Sequence, residues 1–433
     1  MSILNVNKIN PVGGGSTITI AGIASVTSSV TAPSFVGAVT GNVTGNVTGN
    51  VTGDATGLSG NPSINTTGIV TATSFVPTVG QLSHRNLVIN GDLRIAQRAT
   101  SSTSSGYQTV DRWNISYAAD ASMTFTQHGL TSSDSGPYEE GFRYSNHAAN
   151  GDTAAGGTQS LNWQQPIEAQ NVSLSGWNYT SPSSFITLSF WAKSSVGQTF
   201  NMSVMTTDGT IKNFPFDVTL AANTWTKVIK TIPGNSGLQI DNDAGEGFRI
   251  NINVFTGTTY TSDSVTNDTW QNWASGSRFR DSDATWFTTN GATFEYTGVQ
   301  LEVGSQATAF EHRSFGEELR LCQRYYCHTY PYTVYPGANY NSDSNARRGM
   351  LFNYRQRDTN YQAFQWSPPV EMRTVPTQTH YSMLGTAGKA SGSTSDFTVA
   401  TNNPHNGPTG VMCYGDNTIA NDGYVHFVLS AEL

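Results

Sequence analysis

The run Phe248-Arg249-Ile250-Asn251-Ile252-Asn253-Val254 alternates strictly, so an extended chain puts Phe, Ile, Ile and Val on one face and Arg, Asn and Asn on the other. The same period of two groups Ile186, Leu188, Phe190 and Ala192, then Phe200, Met202 and Val204, then Phe214, Phe216, Val218 and Leu220. These stretches predict half-buried antiparallel strands. The Gly, Asn and Asp turns between them predict a sandwich or jelly roll. Between Phe294 and Val303 the apolar phase slips from Tyr296 to Val299, where Gly298 sits, as an extra residue in a β-bulge makes it do.

Composition agrees with an all-β chain. Only 12 % of the 433 residues are charged while aromatics reach 11 %, a mixture suited to strands and turns. Polarity comes from neutral hydroxyls and amides beside 36 % hydrophobic residues, so most of the chain is expected to be ordered. The length fits two or three domains. A formal net charge of -8 with no Lys/Arg run offers no footprint for nucleic acid or acidic lipid, and leaves neutral glycans as chemically suitable partners. Cys322, Cys327 and Cys413 lack metal-ligand spacing and are an odd set, which argues against a disulfide framework and suits assembly in a reducing cytoplasm. No cofactor is implied. No basic segment leads into a long apolar run at the N-terminus and no stretch approaches membrane-spanning length, so membrane insertion is not expected.

The first 80 or so residues are nearly free of aromatics and centre on Gly41-Asn42-Val43-Thr44, Gly45-Asn46-Val47-Thr48 and Gly49-Asn50-Val51-Thr52. Thr31-Ala32-Pro33-Ser34-Phe35-Val36 returns as Thr71-Ala72-Thr73-Ser74-Phe75-Val76 on the other side of that run. In an extended chain Val43, Val47 and Val51 share a narrow face with glycines. Ordering the backbone costs roughly 1 to 2 kcal/mol per residue, while burying a Val returns only about 1.5 to 3 kcal/mol. One copy cannot fold alone; three copies around an axis bury each strip between two neighbours. The repeat therefore predicts an intertwined β shaft with Val43, Val47 and Val51 on a trimer axis, the alternative being a flexible Gly-rich linker.

A helix is predicted at about Phe315 to Tyr326, opened by a capping box of Ser314 and Glu317, with Leu319, Cys322 and Tyr326 on one face. After it, Met350, Phe352 and Tyr354 alternate, Pro368, Pro369 and Pro376 break the chain, and a final strand runs from Tyr424 to Leu429. This part reads as a smaller β-sandwich.

Asn86-Leu87-Val88-Ile89-Asn90-Gly91-Asp92-Leu93-Arg94-Ile95-Ala96-Gln97-Arg98, with Val110-Asp111-Arg112-Trp113, resembles the opening of a module common in fibre proteins of tailed bacteriophages. Leu188-Ser189-Phe190-Trp191-Ala192-Lys193-Ser194 and Thr224-Trp225-Thr226-Lys227-Val228 look like central strands of that family's carbohydrate-binding-module-like jelly roll. Thr297-Gly298-Val299-Gln300-Leu301-Glu302-Val303-Gly304, Ala309 to Phe315 and Cys322-Gln323-Arg324-Tyr325-Tyr326 are similar to its junction with a tip domain. The start Ile3-Leu4-Asn5-Val6-Asn7-Lys8-Ile9 and the repeats look like marine phage, particularly cyanophage, shafts. The resemblance implies a homotrimeric fibre carried on the virion. Residues 1–84 would attach to a tail or baseplate protein and form the shaft, 85–313 the jelly roll, 314–326 a connecting helix, and 327–433 an outward tip. It supplies no receptor and no binding residues.

Asp241, Asp243 and Glu246 place hard oxygen ligands in one short turn, as a Ca²⁺ loop does, but without the remaining positions of an EF-hand; Asp241 and Asp243 are weak metal candidates, and polar turn residues are the alternative. Tyr325, Tyr326, Tyr330, Tyr332, Tyr335 and Tyr340 crowd the entry to the tip, where aromatic faces with polar edges suit sugar rings. Tyr330, Tyr332, Tyr335, Tyr340 and Trp366 are thus candidates for glycan or receptor contact, with core packing or a trimer contact as the alternative. Glu317 and Glu318 are neighbours on a helix, point apart, and do not form an acid/base pair. No Gly-x-Ser-x-Gly elbow, phosphate-binding glycine loop or His-Glu-x-x-His helix is present, and His312 reads as a junction residue. No catalytic residue is expected. The function expected is host-surface recognition by a fibre subunit whose tip binds bacterial surface glycan or an outer-membrane protein. The alternatives are a purely structural connector and a glycan depolymerase, which would need clustered acids.

Overall fold

A computed structural model describes residues 84–433 apart from 340, 354–355, 359–360, 393–395, 401–405 and 417–422. The expected shaft, with Val43, Val47 and Val51, lies outside the described residues, and so does Tyr340. What is described is almost entirely β.

Twelve strands build the larger part: β1 (Ser101–Ser102), β2 (Asn114–Ala118), β3 (Thr124–Gly129), β4 (Tyr144–Ala149), β5 (Ser160–Glu168) and β6 (Phe185–Ser194), then β7 (Gln198–Thr206), β8 (Lys212–Leu220), β9 (Thr226–Pro233), β10 (Glu246–Thr256), β11 (Gln271–Asn272) and β12 (Thr293–Val303). One six-stranded sheet runs β1-β3-β4-β12-β6-β9 and the other β11-β8-β7-β10-β5-β2, all pairs antiparallel. Consecutive strands often switch sheets, as in a jelly roll. The apolar alternation is what packs them: Ile186, Leu188 and Phe190 of one sheet and Phe248, Ile250 and Ile252 of the other are all fully buried in one core. Each such side chain contributes about 1.5 to 3 kcal/mol relative to exposure. Trp163 sits edge-on to Phe125 and Tyr296 at ring-centroid distances of 5.9 and 5.2 Å, joining the two layers.

The bulge falls where the phase slipped. Pairing of β12 with β6 skips between Thr297 and Gln300, and Gly298 has φ 65°. A Cβ there would lie 2.5 Å from the Phe142 ring, so both conformation and space require glycine. The next residue, Val299, donates its N–H to Gly91 O at 2.9 Å, which ties the strap 86–98 to the sandwich.

Two short helical turns, α1 (Ala169–Ser173) and α2 (Thr285–Thr288), cap sheet ends. The predicted helix is α3 (Phe315–Gln323), and the Ser314 side chain accepts the Glu317 N–H at 3.2 Å. It ends at Gln323, short of the expected Tyr326, because Tyr326 begins β13 (Tyr326–His328). The remaining strands are β14 (Leu351–Asn353), β15 (Gln356–Asp358), β16 (Tyr361–Trp366), β17 (Thr377–Tyr381), β18 (Lys389–Ser391), β19 (Asp396–Ala400), β20 (Val411–Asp416) and β21 (Gly423–Ser430). The final strand β21 is their hub, pairing with β13, β14, β17 and β18 around a second, smaller core that includes Cys327, Phe364, Cys413 and Phe427. All three cysteines are free and buried.

The two parts meet through buried charge. Fully buried Glu168, at the end of β5, accepts Arg324 Nε at 2.7 Å, Arg324 Nη2 at 2.9 Å and the Tyr325 hydroxyl at 2.5 Å. Arg98 and Arg112 both pair with Glu432 near the C-terminus. Arg373 donates to Ala244 O, Ala431 O and Glu432 O.

Candidate functional site

Tyr330 lies inside the fold, not on a glycan-facing surface: it is 4 % exposed, stacked on the His426 ring at a centroid distance of 3.5 Å. Tyr332 is half-buried; its hydroxyl donates to Arg94 O and accepts the Ala96 N–H, both at 3.0 Å, and Phe315 meets its ring edge-on. Tyr335 is half-buried in a turn, and Trp366 packs against the smaller core near Phe427. The tyrosine-rich entry thus fastens strap, helix and β21 together. A chain alternating aromatic and polar residues looks the same in sequence whether the rings meet sugar or one another.

Asp241 and Asp243 serve the turn they sit in. The Asp243 carboxylate accepts the Gly245 N–H at 2.8 Å, and the Asp241 N–H donates to Asp208 at 2.8 Å. Burial, with Asp241, Asp243 and Glu246 nearby, raises the Asp208 carboxyl above its ordinary pKa. Among the described residues no group of three His, Cys, Asp or Glu side chains is arranged to hold a metal ion. His312 bonds Glu140 O at the junction, and buried Glu318 accepts the Asn90 N–H at 2.5 Å, away from Glu317 at the exposed helix start.

The site that the fold does build lies on the outer face of the second sheet. Residues that alternate with the core on β5, β7, β8 and β10 point there: Asn162, Ser203, Asn213, Asn251 and Asn253. A sheet's outer face ordinarily meets water, yet Asn253 is 1 % and Asn213 2 % exposed. The segment between β10 and β12 is folded over one side of this face. Trp273 N donates to Ile211 O, Arg278 N to Tyr260 O, and Asp268 N to Pro215 O, each within 2.8 to 2.9 Å. The outcome is a groove of about 290 Å³, near the lower end of ligand clefts.

Its floor is neutral and amide-rich. Asn251 donates to Ser203 Oγ at 3.1 Å, Asn253 Oδ1 accepts from Thr256, and Asn213 donates to Arg278 O at 2.7 Å. Asn162 Oδ1, Asn213 Oδ1 and Asn253 Nδ2 are buried without a protein partner, two acceptors and a donor on one floor. These atoms lie beneath the groove surface, and each such unmet group costs about 1 to 3 kcal/mol. A hydroxyl both donates and accepts, so a polyhydroxylated ligand matches the Asn and Ser residues that line the groove.

The wall is aromatic and cationic. The Arg278 guanidinium lies 4.1 Å from the Tyr260 ring centroid and 5.5 Å from that of Trp273. At the opposite rim Arg249 is clamped by Glu246 at 2.5 and 2.6 Å; burial pushes its pKa down, but that pairing outweighs it and holds the pKa above the ordinary value. No Asp or Glu lines the groove, so it lacks the carboxylate pair that glycosidic hydrolysis needs. Of these residues the alternation of β10 marked Arg249, Asn251 and Asn253 as a polar face. Trp273 and Arg278 carry no such mark, since they lie in an irregular segment brought over the sheet by tertiary contacts.

No protein-family model and no curated protein sequence matches the chain. Among solved structures, it is similar to the enzymatically active domain of tailspike protein 4 of bacteriophage CBA120 (15 % identity, TM-score 0.29), over 51 % of this chain and 21 % of that one. It is also similar to a CBM4 carbohydrate-binding module (14 %, TM-score 0.27, 50 % of this chain and 98 % of that one). A third, TmCBM61 in complex with β-1,4-galactotriose, has 10 % identity and a TM-score of 0.26 over 51 % of this chain and 99 % of the other.

Proposed function

We propose that this protein binds bacterial surface glycan in the groove on the second sheet, without cleaving it, as a subunit of a tailed-phage fibre. The observation that carries the glycan reading is the neutral, Asn- and Ser-rich floor of the groove set beside the Trp273 and Arg278 wall. Binding without cleavage follows from a lining that offers hydrogen bonds and ring faces but no acid or base. The fibre role rests on the resemblance of residues 85 to 326 and on the repeat shaft. In that role the chain is a homotrimer on the virion, its N-terminus joined to a tail or baseplate protein. Three grooves on one fibre compensate for shallow single contacts by avidity. An outer-membrane protein remains the alternative partner, contacted by residues 327–433.

The test is calorimetric titration of the full chain with purified bacterial surface polysaccharides and defined oligosaccharides, followed by chain-length analysis of the recovered glycan. Saturable binding that weakens at least severalfold in Trp273→Ala, with glycan length unchanged, supports the reading. Shortened glycan assigns a depolymerase instead. An inert, well-folded protein assigns a structural connector.

A further inference from the structure

We propose that the groove selects an acidic sugar, with the carboxylate of a uronic acid residue seated on the free edge of Arg278; this rests on the glycan reading above. Several arginines of the two sheets and their junction are matched by carboxylates, Arg249 by Glu246, Arg324 by Glu168, Arg112 by Glu432 and Arg313 by Glu318, whereas Arg143 and Arg373 bond backbone carbonyls. Arg278 is treated differently. Among the described residues no carboxylate pairs with it, and its one side-chain hydrogen bond runs from Nη2 to Ser275 Oγ at 3.3 Å. Its Nε–H is buried out of a ligand's reach, so the edge that a ligand in the groove can meet is the Nη1/Nη2 end. The plane is held by stacking over Tyr260, and its backbone is held at both ends, N–H to Tyr260 O and C=O to Asn213 Nδ2. The side chain is therefore pre-positioned without being neutralised.

A guanidinium edge of this kind presents parallel N–H donors that match a planar carboxylate. A neutral sugar hydroxyl leaves that charge unmatched. The lining brings no competing carboxylate to repel an anion, and the paired Arg249 adds none. The chain's formal net charge of -8 acts against an anion only at long range. It is screened beyond about 8 Å at physiological ionic strength, whereas Arg278 acts in contact.

The experiment compares tetrasaccharides of galacturonate, glucuronate and mannuronate with their carboxyl-reduced counterparts, titrated into the full chain at low and at physiological salt. The expected result is that at least one uronate binds about tenfold or more tighter than its reduced partner, the factor of a single 1.4 kcal/mol contact. In Arg278→Gln that ratio falls to about one. Arg278→Lys keeps the charge but not the planar fork, and recovers only part of the ratio. Near-UV circular dichroism of each variant confirms folding, and the native ratio stands as a test even where a variant misfolds. Equal affinity for acidic and reduced sugars in the native protein overturns the selectivity while leaving glycan binding in place. No saturation with any saccharide overturns both.

Discussion

Glu168→Ala should detach the C-terminal sheet from the sandwich energetically. The carboxylate is fully buried and takes donors from Arg324, Tyr325 and, at 2.5 Å, Gln170 Nε2. Its loss strands the Tyr325 hydroxyl, whose residue is 1 % exposed, at a cost of about 1 to 3 kcal/mol. Breaking a fully buried ion pair costs about 3 to 5 kcal/mol, but the Arg324 side chain is 30 % exposed and recovers part of its hydration. The sum expected is about 3 kcal/mol. Glu168→Gln, which keeps the volume and one acceptor, should cost roughly half of that. Urea unfolding at pH 7 followed by tryptophan fluorescence gives the difference, and hydrogen exchange should rise in β13 and β21 before it rises in β10. Burial raises the Glu168 carboxyl pKa, but the bonds from Arg324 and Tyr325 outweigh it and leave the pKa below the ordinary value. A depressed carboxylate stabilises the fold above its unfolded pKa and loses that contribution as pH falls through the folded one. Native protein and Glu168→Ala should therefore converge in acid. A difference under about 1 kcal/mol at pH 7, or one that persists unchanged at pH 2, would refute the reasoning.

Gly298→Ala forces a side chain into positive φ and onto the Phe142 ring, and should cost about 2 to 4 kcal/mol, read as a lowered thermal midpoint. Asp111 is pushed up to about 6 by burial, against the pull of Arg98. A carboxyl raised in the folded state adds stability that is complete below its unfolded pKa and disappears as pH rises through about 6. The stability of the native protein relative to Asp111→Asn should thus increase from pH 7 to pH 4, and urea midpoints across that range check the sign. Replacing Val43, Val47 and Val51 together with Asp puts like charges on the proposed axis; light scattering should then report monomer or aggregate in place of the trimer proposed for the native chain. An unchanged trimer would remove the valine strip from the assembly.

The period of two in β6, β7, β8 and β10 was enough to assign the named apolar side chains of those strands to the core, because an extended backbone leaves each residue only two directions. It missed Phe255, which enters the core after a register shift in β10. Gly298 and Ser314 were legible for a similar reason: a bulge and a helix cap are local hydrogen-bonding problems that few residue types solve. Local rules stop at the question of what covers a face. Asn251 and Asn253 were readable as the polar side of β10, but only the fold places the 257–283 segment over them and turns a wet surface into a groove with unmet amides. Tyr330 was readable as suited to a glycan, the core or a trimer contact alike, and only the arrival of His426 on the last strand makes it interior. Glu168 meets Arg324 across 156 positions of chain. Side-chain direction is set within a few residues by backbone geometry, whereas burial and charge pairing are set by neighbours that the chain brings from far away.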